Sequence, residues 1–400
     1  MSVFTKILKR IISEKKTEPT AQKHQNHPSW STSWEALNTP KQYDHLAAKG
    51  YSDNVIAYRA IQLVARGVAS IPWLLYTKNT ELEQHPLLQL LKHPNIQQAD
   101  GSFREQIISH LLICGNAYIL KTLNPKGEPV ALTALRPDRV KPKMTKHGHI
   151  AAYEYKVSDK KYTFPVDMLT GACQVLHIKF FNPLNEHYGL GPLQAASSAI
   201  DQHNAVAEHN LSMLQNGGRP SGAFVVKPSE YGPSLSDRQR DALTRDMRKA
   251  YEGATNAGRI LFLEGDFDWK EMGLSLKDLD FIEGKNLSAR EIAQAFGVPP
   301  MLVGIPGDAT FSNYKEARYH LWEDTILPLM DLIIGSLNHW LSPHYKDALR
   351  ISYDADRIPA LALRREASWA KIAEVNFLTV NEKRHAVGYG DLPTGETLPG

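Results

Sequence analysis

The sequence predicts an α+β chain of more than one domain, and three observations lead there. Residues 51–188 alternate segments of helical apolar period with short, turn-bounded segments of strand type. Two stretches of helical period, within 189–217 and 278–355, flank a compact mixed block at 218–277. Four hundred residues, 42% hydrophobic and 22% charged, suffice for a large core divided among domains.

The chain opens weakly. MSVFTKILKRII places Val3, Phe4, Ile7, Leu8 and Ile11 on one side of a short basic helix, of the kind that meets an anionic membrane or a partner groove. A helix this short is marginal alone, and polar, proline-dotted sequence follows through 13–40, so residues 1–50 are expected to form a disordered arm. From Tyr51 onward, Ser52 is expected to cap a helix with Val55, Ala60, Ile61, Val64, Ala65 and Val68 on its apolar side. Ile71-Pro72 leads into a strand, WLLYTK. HPLLQLLKHPN reads as a short helix stopped by proline, and GSFREQIISHLLICGNAYILK as a helix running into a strand. The turn Asn124-Pro125-Lys126-Gly127 separates strands, and TALRPDRVKP, the hairpin YEYKVSDKKYTF and CQVLHIKFF follow.

At YGLGP the texture changes. A helix with Pro192 in its first turn is expected to run unbroken to Asn216, where Gly217-Gly218 ends it. Leu193, Ala196, Ile200, Ala207, Leu211 and Leu214 form its apolar stripe. Its only formal charges, Asp201 and Glu208, lie seven residues apart and so share a face. The next block reads as strand (GAFVV), charged helix (SDRQRDALTRDMRKAY) and strands (RILFLEG, DWKEM).

The segment after it organises the chain. Ser288 and Glu291 have the spacing of a capping box, Ile292, Ala293 and Phe296 give that helix an apolar side, and Gly297 with Pro299-Pro300 stops it. A loop of small residues leads to Ser312, expected to cap a second helix lined by Tyr314, Ala317, Leu321, Leu329, Leu332, Leu337 and Trp340. Some thirty residues at 1.5 Å each would reach about 45 Å, with a bend expected at Pro328. Two helices joined by such a loop suit a lever or strut better than a catalytic centre. LRISYD then reads as a strand, and RREASWAKIAEVNFLTVNEKRHAVG as a closing helical pair.

A formal net charge of +3 does not suggest a protein that grips DNA through many phosphates. Two cysteines, Cys114 and Cys173, cannot build a disulfide framework, and Cys114 reads as a small buried apolar group. Lys6, Lys9 and Arg10 interrupt the apolar N-terminus, and no run reaches the ~18 apolar residues of a membrane span. A soluble cytoplasmic chain without stable membrane association is expected.

The motifs of common catalysts are missing: no Walker A sequence, G-x-G-x-x-G, H-E-x-x-H or paired C-x-x-C occurs. Gly218-Arg219-Pro220-Ser221-Gly222 has the wrong spacing for a nucleophile elbow and reads as a helix-to-strand turn. His147-Gly148-His149 lacks a third ligand and reads as a hairpin tip. Asp354 and Asp356 have the form of a cation-binding pair but also of an ordinary strand end. His203 and His209 are expected to pack or face solvent. No cofactor is expected. Arg238, Arg240, Arg245, Arg248 and Lys249, set against three aspartates, suit a solvated face, an acidic protein partner or nucleic acid.

Seven blocks occur in order along 51–363: YRAIQLVARGVASIPWLLY, HPLLQLLKHPN, ICGNAYI, VLHIKFFNPLNEHYGLGPLQAA, NGGRPSGAFVV, NAGRILFLEGDFDWKEMGLS and FGVPPMLVGIP. Together with ATFSNYKEA and DTILPLMD they resemble the portal proteins of tailed bacteriophages, in the branch that includes prophages and gene-transfer agents. The resemblance implies a multidomain portal fold assembling as a dodecameric ring at a capsid vertex, with assembly in the bacterial cytoplasm. It implies a wing at 51–188, stem helices at 189–217 and 278–297, and a clip between them at 218–277. A tunnel-loop region at 298–313, a long bent helix returning to the wing at 314–355, and a short crown at 356–400 complete the plan. Gly304, Ile305, Pro306, Gly307, Asp308, Ala309 and Thr310 would then be the loop nearest the DNA. Asp201, Glu208, Asp280 and Glu283 would face the lumen, and Arg238, Arg240, Arg245, Arg248 and Lys249 would lie on the docking clip. The implied partners are further copies of the chain, the terminase large subunit, the major capsid protein and scaffold, the head–tail adaptor, and double-stranded DNA passing without sequence specificity. Two other readings stay open: a metal-dependent DNA-processing enzyme using Asp354 and Asp356, and a structural capsid or membrane adaptor without a channel.

Overall fold

The computed structural model describes residues 43–215 except 79, the strands 222–226 and 267–271, residues 238, 241 and 245, and residues 281–307, 311–345, 347–387, 389, 390 and 392. Residues 43–50, expected within a disordered arm, are instead helical: one turn at Tyr43–His45 runs into a π-type turn at Leu46–Ser52. Burial explains the difference. Leu46 is 1% exposed, and the bare backbone of Gly50 lets the Leu193 side chain approach.

Helix α1 (Val55–Ala69) is capped by Asn54 rather than Ser52. Asn54 has the extended backbone of an N-cap, and its Oδ1 accepts from the amides of Ile56 and Ala57 at 3.1 and 3.0 Å. Ser52 Oγ turns back to donate to the Ala47 carbonyl. The shifted start leaves Val55 exposed and puts Ala57 in the core beside Ala60, Ile61, Val64, Ala65 and Val68.

Strand β1 (Trp73–Thr77) is the middle of an antiparallel sheet of order β11–β1–β2, where β2 is Thr80–Glu81 and β11 is Leu349–Tyr353. Trp73 faces Tyr353 and Thr77 faces Leu349, so the late strand pairs with the first. Helix α2 (Pro86–Lys92) is capped by His85, and α3 (Asp100–Cys114) ends on Gly115 with φ +72°. A second sheet sets β3 (Asn116–Leu123) between β4 (Pro129–Leu135) and β8 (Val175–Lys179). The third comprises β5 (Val140–Met144), β6 (Ile150–Val157) and β7 (Lys160–Pro165), with His147-Gly148-His149 in the turn between β5 and β6.

The helix expected to be continuous from Pro192 is interrupted. Helix α4 (Pro192–Ala195) ends at Ala196, whose ψ is 2°, and α5 (Ser197–Gln215) follows. Leu193 and Ala196 are both drawn into the main core, and that burial outweighs unbroken helical geometry. Strands β9 (Gly222–Val226) and β10 (Phe267–Glu271) pair antiparallel, Phe224 opposite Trp269. Residues 218–221 of the expected helix-to-strand turn lie outside the described residues.

Helix α6 (Phe281–Ala295) begins well before Ser288. Ser288 is therefore not a cap; it is buried mid-helix, its Oγ donating to the Lys285 carbonyl one turn back. Helix α7 (Phe311–His320) passes through a π-helical stretch, Leu321–Ile326, into α8 (Leu327–Leu341). The Leu327 amide reaches back five residues to Trp322 just before Pro328, which lacks an amide of its own. That stretch shifts the helical phase. The buried set becomes Ile326, Leu329, Met330, Ile333, Ile334, Leu337, Trp340 and Leu341, while Leu332 and Tyr314 are exposed. Helices α9 (Pro359–Glu374) and α10 (Val380–Ala386) close the chain, α10 with a capping box between Thr379 and Glu382.

One large core joins α1, α3, β1, α4, α6, α8 and β11, and a smaller one (Tyr118, Leu135, Val140, Tyr153, Val175) lies between the second and third sheets. Buried Lys121 ties them to α8: its Nζ sits 2.6 Å from His344 Nε2 and 4.5 Å above the Trp340 ring.

Candidate functional site

Helices α5 and α6 pack against each other and carry two of the stretches from which a role was expected. Their contact is apolar at one end, and further along α5 makes polar contact with the start of α1. Ile200 on α5 and Ile292, Ala293 and Phe296 on α6 are nearly inaccessible. His203 is 6% exposed, with its Nδ1 3.3 Å from Asn54 Nδ2, and Asn54 also donates to Asn204 Oδ1 at 2.9 Å. Burial, and then the nearby Lys285 ammonium, lower the His203 pKa and favour the neutral ring. Asn54 thus fastens α1 to α5 with the same side chain that caps α1.

The expected site residues divide. Asp201 is half-buried on α5, Glu208 is exposed on the same helix, and Glu283 is exposed in the first turn of α6. Asp280 lies outside the described residues. Leu211, expected in the apolar stripe of α5, is 56% exposed, so the stripe is covered only toward its N-terminal end. Gly304 ends a short 3-10 turn (Pro300–Val303) at φ +83°, and Ile305 is buried against Ala289 and Ala293 of α6. Arg290 Nη2 donates to the Pro306 carbonyl, beside Gly307. The first part of the loop is therefore fastened to α6 by an apolar plug and a guanidinium, although no basic residue occurs in the loop itself. Asp308, Ala309 and Thr310 lie outside the described residues, as do Arg240, Arg248 and Lys249. Arg238 and Arg245 are exposed, and Arg245 Nε donates to the Asp241 carbonyl.

A second junction escaped the sequence reading. Gly115 crosses Gly189 and Gly191 so closely that a Cβ on Gly115 would stand 2.5 Å from the Leu190 carbonyl carbon and 2.6 Å from the Gly191 amide. Asn116 locks the crossing: its Oδ1 accepts from the Gly189 amide at 2.8 Å and from His177 Nε2 at 3.0 Å, while its Nδ2 donates to the Cys114 carbonyl. Burial pushes the His177 pKa down to about 3, keeping that ring a neutral donor. The signal was present in ICGNAY and YGLGP, two glycine-bearing strings whose meeting the sequence does not reveal. The junction borders a cavity of about 440 Å³ lined in part by Tyr43, Tyr118, Asp138 and Tyr188.

Asp354 is ion-paired with Arg357 at 3.3 Å, and among the described residues no group of three His, Cys, Asp or Glu side chains is placed to hold a metal ion. Nor is any described helix long and apolar enough to cross a membrane.

Comparison with known proteins agrees with this architecture. An uncharacterized protein of Rickettsia felis (strain ATCC VR-1525 / URRWXCal2) is 44% identical over 354 residues, covering 88% of this chain and 90% of that one. The portal protein of Enterobacteria phage HK97 is 24% identical over 352 residues, 85% of this chain and 79% of its own. Among solved structures, a chain in the neck of a native gene transfer agent particle, computed with C12 symmetry, superposes with a TM-score of 0.67. It is 37% identical, with 88% of this chain and 95% of that chain covered. The family model described as phage portal protein matches residues 56–388, which is most of the described fold. The chain belongs to the phage portal protein family, whose members are head–tail connectors of phage and gene-transfer-agent virions.

Proposed function

We propose that this chain is one subunit of a twelve-membered ring at a capsid vertex, through which double-stranded DNA is packaged and later ejected. Residues 51–188, joined by β11, form its wing; 189–217 and 278–297 are the stem, 218–277 the clip, 298–313 the tunnel-loop region, 314–355 the long helix and return, and 356–400 a short crown. The clip, with Arg238, Arg240, Arg245, Arg248 and Lys249, docks the terminase large subunit and afterwards the head–tail adaptor, and the ring also meets the major capsid protein and scaffold. The role is structural, with no catalysis by the chain itself. Assembly takes place in the host cytoplasm before the ring is built into the particle.

The observation that supports this reading best is the α5–α6 pair with its attached loop, in a chain 37% identical to one from a neck of twelvefold symmetry. Its chemistry suits a conduit. Duplex DNA carries one negative charge per ~1.7 Å of axis, so a basic wall would bind and stall it. On this pair the exposed formal charges are Glu208, Glu283 and Glu291 against Arg290, and Arg290 is engaged with the Pro306 carbonyl. Twelvefold repetition turns that modest acidity into a lining that does not hold DNA. Replacing Asp201 and Glu208 together with lysine is expected to slow packaging while rings still form. Packaging at the normal rate by intact variant rings would overturn the lining.

A further inference from the structure

The near-balanced net charge conceals one surface where positive charge is concentrated. Residues 140–165 carry Lys141, Lys143, Lys146, Lys156, Lys160 and Lys161 against only Glu154 and Asp159. Strand register sorts them by face. Val140, Tyr153, Tyr155 and Phe164 are turned to the smaller core. The opposite face of the β5–β6–β7 sheet carries Lys141 and Lys143 on one edge strand, Glu154 and Lys156 in the centre, and Lys161 on the other edge.

All four of these lysines are exposed. Glu154 pairs with Lys143 at 3.3 Å and Lys161 at 3.7 Å, and among the described residues no carboxylate pairs with Lys141 or Lys156. Lys156 and Lys161 are direct cross-strand partners, a like-charge placement that Glu154 relieves only from the Lys161 side and that an external anion would relieve further. With strands ~4.8 Å apart, the patch is roughly 10 Å wide.

The rest of the face decides which anion. Ala152, Thr163 and Pro165 supply no aromatic or large apolar anchor, and lysine is depleted at the centres of protein–protein interfaces. Surfaces that meet nucleic acid are strongly positive and polar. Lysines on flexible stems suit phosphates as point charges, and with no arginine on the face there is no planar fork to read a base edge. We propose that this sheet face binds the phosphate backbone of double-stranded DNA without sequence preference, at a place separate from the α5–α6 pair.

Covalently closed circular duplex DNA tests this, because it cannot thread a ring that has already closed. The full-length protein is expected to retard such circles in a gel at low salt. A variant with Lys141→Gln, Lys143→Gln, Lys156→Gln and Lys161→Gln should bind about tenfold or more weakly near 0.1 M salt. Its log–log salt slope should be shallower by about 3 to 4, as expected for four lost phosphate contacts. Glu154→Gln frees two lysines and should tighten binding about twofold or more, a gain that misfolding cannot imitate. Equal binding and slope in the fourfold variant, no gain in Glu154→Gln, or preference for poly-glutamate over the duplex each overturn the proposal. Packaging through the α5–α6 lining is a separate readout, so the two readings fail independently.

Discussion

Asn54→Ala should destabilise the fold well beyond the loss of an ordinary surface amide. Asn54 is 1% exposed, caps α1 through two backbone amides, and donates from Nδ2 toward α5. Loss of a helix cap costs about 1 kcal/mol. Loss of the donation to Asn204 adds about 1 kcal/mol, and leaving buried acceptors beside His203 unpaired adds a comparable amount. These effects overlap at one site, so the expected loss is roughly 2–4 kcal/mol rather than their largest possible sum. Asn54→Asp separates the contributions. It keeps the cap acceptor at a helix N-terminus, where a negative charge is favourable, but removes the donor to Asn204. It also places a carboxylate beside His203, raising a pKa that burial and Lys285 hold down in the native chain. A raised histidine pKa stabilises the fold at low pH and loses that effect as pH rises through it. Asn54→Asp should therefore gain stability relative to Asn54→Ala as pH falls through the range in which His203 takes up its proton. Urea denaturation at fixed protein concentration measures both, since assembly couples to stability. Asn54→Ala within about 0.5 kcal/mol of the native protein, or an aspartate variant as weak as alanine at every pH, would refute the fastening role of Asn54.

Three further outcomes follow from other contacts. Gly115→Ala meets backbone atoms at 2.5 and 2.6 Å and holds φ +72°, so it should cost more than about 3 kcal/mol and lower soluble yield, read by expression and thermal melting. Arg290→Ala removes the donor to the Pro306 carbonyl, and hydrogen exchange across 300–307 should speed up with little change in the melting temperature. Burial depresses the His110 and His177 pKa values from 6.5 to about 4 and about 3. The unfolded chain then binds protons that the fold refuses, so stability should fall as pH drops below about 6.5, by about 2 kcal/mol per histidine at pH 5. Urea midpoints at pH 7 and 5 check this, and His110→Gln with His177→Gln should flatten the difference.

Much of this fold was legible because its elements are punctuated. Strands β1, β3 and β4 are bounded by proline, glycine and asparagine, the β6–β7 turn is Ser158-Asp159, and the late strand LRISYD fell where β11 pairs with β1. What the sequence hid is set by distant partners. Ser52 and Asn54 are equally good caps locally; the choice is made by Asn204 and His203, some 150 residues away. Ser288 has the spacing of a capping box, but the helix had already begun upstream. The stripe with Leu332 assumed one helical period, and the π-helical stretch at Leu321–Ile326 changes the phase midway. For the candidate site, the paired helices and the loop between α6 and α7 were recognisable. The contacts that hold them, Arg290 to Pro306 and Gly115 under Gly191, join residues whose spacing carries no local signal.

Electron microscopy of the purified full-length protein in end view, with subunits counted and the bore resolved, decides whether the chain builds a conduit. Closed rings are expected, twelvefold in the particle, with a hole wide enough for duplex DNA and Glu208 and Glu283 on its wall. A protein that stays monomeric under every assembly condition, or a bore lined by the lysines of the β5–β6–β7 face, would contradict it.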